Sequence, residues 1–226
     1  GSDNRKMSKR WGNSVNPTDV VNEYGADTTR MYEMFMGPLE DDKPWNVNGV
    51  KGIRRFLDKV WVLQEKITKE EKIEALDKDT HKTIQKVGKD MEKLGFNTAI
   101  ARMMELVNIF TKQEKIPISN YESLIMMLVP LAPHMAEELW SSLGHKDSIC
   151  TQSWPEYDEE LIKDDEITLA VQINGKLRGD MLVPVDISED DVKSQALELE
   201  NVKRWLEGKE PKKVIYVKGK LVSIVV

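Results

Sequence analysis

Thiols, imidazoles and membrane-length apolar runs are all scarce in this chain of 226 residues. Its one cysteine, Cys150, excludes an intramolecular disulfide, and a reducing, cytoplasmic setting is the expectation. Its three histidines, His81, His134 and His145, are scattered, and beside a single thiol they make no zinc site of the usual ligand spacing. No metal ligand set is therefore assigned. No apolar stretch approaches the roughly 20 residues of a membrane helix, and no secretory signal is visible. The net charge of −6 offers no basic excess of the kind that marks a dedicated nucleic-acid binder, although local basic faces decide such binding more than the total does.

What is present fits a soluble globular protein: 40% of residues are hydrophobic and 32% charged. The length allows one large domain or two to three small ones. Gly1-Ser2 reads as a cloning scar, and a functional loop beginning at Lys6 suggests a chain cut from a longer parent.

Residues 1–48 read as a loop followed by short helices. Asn16-Pro17-Thr18-Asp19 is a helix start, with Asn16 as cap, Pro17 at the first helical position and Asp19 on the positive end of the dipole. Gly25 ends that helix, and Asp27 is expected to cap the next, whose apolar side carries Met31, Met34 and Phe35. Residues 49–152 read as a helical bundle, because Val50, Ile53, Phe56, Leu57, Val60 and Trp61 recur at spacings of three and four. A polar stretch, Lys66–Lys78, is expected to contain a loop, ahead of a helix expected over about 79–93. Asn97 is expected to cap the following helix, and Ser119-Asn120-Tyr121-Glu122 reads as a capping box for another. Trp61, Trp140, Trp154 and Trp205 fit core or domain-junction packing better than base stacking, and Met103, Met104, Met126 and Met127 read as core fillers.

After a linker at 153–165 the pattern changes. Ile167–Ile173 alternates apolar and polar residues, and Asn174-Gly175 is a strong hairpin signal. Ser188 caps a helix with an acidic first turn that is expected to run to about Leu206, and a second hairpin turns about Gly219. Residues 166–226 thus read as a small ββαββ domain. The fold class is α+β, a helical bundle followed by that domain.

Lys6-Met7-Ser8-Lys9 carries the chemistry. Two lysines three residues apart on a chain loosened by Gly12 can converge on one phosphate and stabilise the charge that develops there. Read alone, the tetrapeptide fits two solvated, idle lysines near a frayed terminus better than it fits a phosphate site. Their surroundings resemble a known family. Lys6-Met7-Ser8-Lys9-Arg10-Trp11-Gly12-Asn13, then Tyr24-Gly25-Ala26-Asp27-Thr28-Thr29-Arg30, are similar to the KMSKS loop and following helices of class I aminoacyl-tRNA synthetases. Met36-Gly37-Pro38-Leu39, Gly49-Val50-Lys51-Gly52, Arg55-Phe56-Leu57-Asp58-Lys59-Val60-Trp61, Leu131-Ala132-Pro133-His134-Met135-Ala136 and Val171-Gln172-Ile173-Asn174-Gly175-Lys176-Leu177-Arg178-Gly179 narrow the resemblance to the leucyl-tRNA synthetases.

The resemblance implies a parent that is an ATP-dependent class I leucine–tRNA ligase. It would activate leucine with ATP, Mg2+ being expected, and charge tRNA(Leu). Lys6 and Lys9 would be catalytic, and Lys6, Met7, Ser8, Lys9 and Arg10 would meet ATP, with Met7 packing inward and Ser8 positioning phosphates. Arg10 departs from the serine most common at that position. The bundle corresponds to an anticodon-binding-type domain and the last domain to one that reaches the outer corner of tRNA. Its candidate contacts are Lys176, Arg178, Lys203, Arg204, Lys212, Lys213, Lys218 and Lys220, together with Lys209; a solvated face is the plain alternative. The fragment by itself, a monomer holding no tight cofactor, is expected to be inactive. Rival readings are a freestanding RNA-binding or protein-interaction module, and a methionyl or valyl relative, against which the ββαββ tail speaks.

Overall fold

The computed structural model describes residues 5–69, 72–163, 166–185, 187–206 and 211–226. They form two compact units, Gly1–Ile162 and Lys163–Val226. The fold is α+β, with a helical first unit and a small mixed second one.

In the first unit a 3-10 turn at Lys9–Trp11 precedes α1 (Pro17–Tyr24), α2 (Ala26–Phe35) and α3 (Val47–Leu63). The short strand β1 (Ile67–Thr68) then leads to α4 (Glu74–Glu92) and α5 (Phe96–Thr111). A second short strand, β2 (Ile116–Pro117), runs directly into α6 (Ile118–Leu128), and α7 (Pro133–Ser142) follows. The period-3.6 stripes meet in one core. Ile53 and Val60 of α3, Val87 of α4, Ile100, Met103 and Phe110 of α5, and Leu124 and Leu128 of α6 are all inaccessible to solvent or nearly so. Each such side chain contributes about 1.5–3 kcal/mol by leaving water, which is why these amphipathic helices hold together. Met103 and Met127 are fully buried, and Met104 and Met126 pack against the same cluster. Among the four tryptophans expected to pack, only Trp140 is buried, at 6% exposure; Trp61 and Trp154 are about 40% exposed and Trp205 54%.

Several helix starts differ from expectation. Asn16 does cap α1, its Oδ1 accepting from the Thr18 N–H at 3.1 Å. Asp27, however, does not cap α2. Its carboxylate accepts from the N–H groups of His134 and Met135 and meets His134 Nδ1 at 2.7 Å, so it caps α7, far along the chain. Asn97 makes no cap for α5, whose N-cap is Gly95. The capping box at Ser119 is absent too, because the N-cap of α6 lies two residues earlier, at Pro117, and Glu122 accepts from the His145 ring instead. The polar segment expected to contain a loop also holds β1 and the first turn of α4; β1 pairs in parallel with β2, joining Ile67 to Ile116. No local period signals a two-residue strand, since its partner lies beyond two helices.

Gly49 shows how tightly α2 and α3 meet. A Cβ there would fall 2.6 Å from the Tyr32 ring. That ring packs edge-on against Trp45, and its hydroxyl accepts from the Asn46 N–H at 3.0 Å. Gly49→Ala is therefore expected to lower stability by about 1–3 kcal/mol through overpacking, despite alanine's higher helix propensity. Urea unfolding of the variant checks this, and an unchanged midpoint would refute it.

In the second unit, β3 (Glu166–Ile173) and β4 (Lys176–Pro184) form a hairpin, α8 (Glu189–Glu198) and α9 (Glu200–Leu206) follow, and β5 (Lys213–Val217) and β6 (Leu221–Val225) form a second hairpin. Asn174 and Gly175 both have positive φ, 47° and 77°, as a type I′ turn requires. The strand order is β4-β3-β6-β5, with β3 and β6 parallel and the other pairs antiparallel. Leu169, Val171, Val183, Val222 and Ile224 share a core with Val192, Ala196, Val202 and Leu206 of the helices. Ser188 caps α8 as expected, but the single helix to Leu206 is two, broken where Leu199 takes extended angles.

Candidate functional site

Polar contacts hold the loop Lys6–Asn13 in a defined turn. The Ser8 N–H donates to Asn13 Oδ1 at 2.9 Å, and Asn13 Nδ2 donates to the Lys6 carbonyl at 3.4 Å. Ser8 caps the 3-10 turn, its Oγ accepting from the Arg10 N–H at 3.2 Å, and Gly12 closes it with φ 62°. Lys6, Lys9 and Arg10 are exposed on this scaffold. The Ser8 N–H is taken by Asn13 and its Oγ accepts from Arg10, which leaves Ser8 its hydroxyl proton to donate. Met7 is not wholly inward; it is 38% exposed and borders a cavity of about 190 Å³ with Val15, Met36 and Trp45 among its walls. The Arg5 and Arg10 guanidinium groups stand 5.4 and 5.5 Å from the Trp11 ring. Such exposed cation–π contacts are worth about 0.5–1 kcal/mol, little beside the attraction of a triphosphate for Arg10.

The second unit spreads its candidate cations over several places. Ile173 pairs with Lys176 across the first hairpin and with Ile224 of β6, which in turn pairs with Val214 of β5. Lys176 and Lys213 therefore flank one end of the sheet from opposite edge strands, three strand spacings or roughly 14 Å apart. Lys212 adjoins them, its N–H bonded to the Val225 carbonyl. Lys218 and Lys220 sit in the turn at the sheet's other end. Lys203 and Arg204 lie exposed on α9, where Arg204 meets Glu200 at 3.9 Å, a surface pair of small energetic weight. Lys209 lies outside the described residues. Arg178 occupies a bulge between Leu177 and Gly179, and its guanidinium lies 3.5 Å from the centroid of the exposed Trp205 ring. The buried Arg178 Nε has no hydrogen-bond partner among the described residues. Sequence reading missed Trp205 as a surface aromatic; its place beside Arg204 in a helix with Val202 and Leu206 inward was the available signal.

Residues 74–193, more than half of the chain, match the family model described as the anticodon-binding domain of tRNA ligase. The chain belongs to that family. The match starts at α4 and runs past the first unit into α8 of the second. Residues 1–46 also match the family described as tRNA synthetases class I (I, L, M and V).

A leucine–tRNA ligase of Leptospira biflexa is 49% identical over 233 residues, covering all of this chain and 27% of that protein. One from Chloroherpeton thalassium is 48% identical over 234 residues, covering all of this chain and 29% of its own length. Among solved structures, the ternary complex of Agrobacterium radiobacter K84 agnB2 LeuRS with tRNA and LeuAMS superposes with a TM-score of 0.84 at 30% identity, over 99% of this chain and 32% of that one. The chain thus spans less than a third of the length of these relatives. It corresponds to their C-terminal part.

Among the described residues no cluster of three or more His, Cys, Asp or Glu side chains is placed to hold a metal ion. No described helix is long and apolar enough to cross a membrane.

Proposed function

We propose that this chain supplies the phosphate-closing loop and the tRNA-contacting domains of a leucine–tRNA ligase acting on ATP, leucine and tRNA(Leu) in the cytoplasm. The observation that carries this reading is the in-order similarity of the whole chain to leucine–tRNA ligases, at 49% identity. The class I synthetase match over residues 1–46 favours a link to a catalytic domain over a freestanding module. Within the chain, residues 1–48 complete the catalytic region, 49–152 form the anticodon-binding-type domain, 153–165 link it onward, and 166–226 contact tRNA.

In adenylate formation the leucine carboxylate attacks the α-phosphorus of ATP, and the bond to the bridging oxygen breaks, so that pyrophosphate leaves carrying the electron pair. Lys6 and Lys9 hold ammonium groups against that leaving charge, and Arg10 adds guanidinium donors. The Ser8–Asn13 contacts keep the backbone of the turn in shape while those side chains reach outward. Residues Lys6 to Asn13 include no carboxylate. The loop therefore does not fit as a holder of Mg2+, and its cations act on phosphate directly.

Transfer to tRNA needs the second unit. Lys176, Lys212 and Lys213 at one end of the sheet, Lys218 and Lys220 at the other, and Lys203, Arg204 and Arg178 meet phosphates and shape. Removing residues 163–226 from the full-length enzyme is expected to weaken tRNA charging strongly while pyrophosphate exchange persists. Lys212→Glu with Lys213→Glu should reproduce part of that loss and flatten its salt dependence, since the slope falls by about one unit for every phosphate left without its cation. Normal charging by the truncated enzyme across a salt titration would leave these residues as a solvated face.

A further inference from the structure

We propose that the face of the second unit's sheet turned away from α8 and α9 docks an acidic amphipathic helix presented by a protein partner, an interaction beyond the tRNA reading above. The registers decide which side chains share that face. Leu169, Val171, Val222 and Ile224 pack into the core with the helices, so the residues alternating with them along the strands point the other way. One row across β4-β3-β6-β5 then reads Asp180, Ala170, Leu221, Val217, and the next reads Leu177, Gln172, Ser223, Ile215. Leu182 extends the face along β4 and Val225 along β6. Leu177, Leu182, Ile215, Val217 and Val225 are each between 36% and 64% exposed. A sheet face left to water normally carries polar residues alternating with the apolar ones of the core face. Here Val214-Ile215-Tyr216-Val217 and Leu221-Val222-Ser223-Ile224-Val225 are almost continuous apolar runs, the pattern of strands covered on both sides.

Charge and size choose the occupant. Lys213 lies on this face opposite Val225, and the exposed Lys176, Lys218 and Lys220 stand at its ends. Asp180 is the one carboxylate in the two rows. The centre is therefore apolar and the rim cationic, the arrangement of a protein interface whose partner brings acids to the edge. Four strands span roughly 14 Å, which seats one helix of about 10–12 Å diameter. RNA suits the face poorly, because unpaired bases stack on aromatic rings and the two rows hold none. A second copy of the chain suits it poorly as well, since two-fold pairing of one patch brings the same lysines together. A helix with an apolar stripe and glutamates on its flanks meets both the centre and the rim.

The test uses the full chain and a fluorescein-labelled helical peptide of about four turns, with leucines along one stripe and glutamates on both flanks, at about 50 mM salt. A second peptide carries lysine in place of every glutamate. The glutamate peptide should bind saturably, more weakly as salt rises, and about tenfold or more tighter than the lysine peptide. Leu182→Thr with Ile215→Thr and Val217→Thr should weaken it about tenfold, with the melting temperature held because threonine suits exposed strand positions. Should that triple change lower the melting temperature, Ile215→Thr alone carries the test, with a loss of about threefold expected. Equal binding of the two peptides overturns the acidic partner, undiminished binding by the threonine variants overturns the face, and no saturable binding overturns both. Two further results also overturn the proposal: tRNA(Leu) affinity that falls with the triple change while peptide affinity does not, which gives the face to RNA, and a dimer in sedimentation that the triple change dissolves, which gives it to a second copy.

Discussion

Replacing Lys9 by alanine in the full-length enzyme is expected to slow leucine-dependent pyrophosphate exchange by about a hundredfold, or about 3 kcal/mol of transition-state stabilisation. The loss should fall on kcat, with the KM for leucine nearly unchanged, because the ammonium acts on charge that appears only as pyrophosphate departs. The turn makes the experiment clean. Lys9 is exposed, and the Ser8 cap, the Asn13 bridge and Gly12 in its left-handed conformation use no atom of its side chain. Alanine therefore removes the charge and keeps the loop. Lys9→Arg should recover part of the rate by restoring the cation at a different reach. A Lys9→Ala rate within about twofold of wild type would take Lys9 out of the mechanism.

The second large effect concerns stability. Asn120 is 2% exposed, and its Nδ2 donates to Asp77 Oδ1 at 3.0 Å and to Thr80 Oγ1 at 2.9 Å. Asp77 is itself only 8% exposed, so this amide is what stands in for water at its carboxylate. Asn120→Ala leaves a buried carboxylate oxygen unsatisfied and opens a gap between α4 and α6. The expected cost is about 2–3 kcal/mol, read as a fall of about 5–10 °C in melting temperature. Combining it with Asp77→Ala should cost less than the sum of the two single changes, because the second removes the group that the first had orphaned. Additive losses would show that the two side chains do not act together. The neighbouring Tyr121 is a different case: its hydroxyl donates to the Val60 carbonyl at 2.9 Å, and burial pushes its pKa up, so it stays neutral and keeps that bond across the working pH range.

What could be read from sequence was local. Asn16-Pro17, Asn174-Gly175 and Ser188 each act on backbone within three residues, and each makes the turn or cap its chemistry suggests. The misread signals involve partners far along the chain. Asp27 has the composition of a cap but serves α7, and Glu122 has the position of a box residue but meets His145. Nothing near Ile67 in sequence announces Ile116, and nothing near Arg178 announces Trp205. The loop lysines stood out because their chemistry is compact in sequence.

The placement of β6 between β3 and β5 has a kinetic consequence. Each hairpin of the second unit closes locally, on a scale of about 1–10 μs for an isolated hairpin. The sheet itself waits for the parallel pairing of β3 with β6, which must close a loop containing β4, both helices and β5. Such non-local pairing is slow compared with helix docking of the kind that builds the first unit. Until β6 arrives, β3 presents an open row of backbone groups beside the uncovered side chains of Leu169, Val171 and Ile173. A chain stalled or clipped before Leu221 would carry an adhesive strand edge, a template for aggregation that the complete sheet conceals.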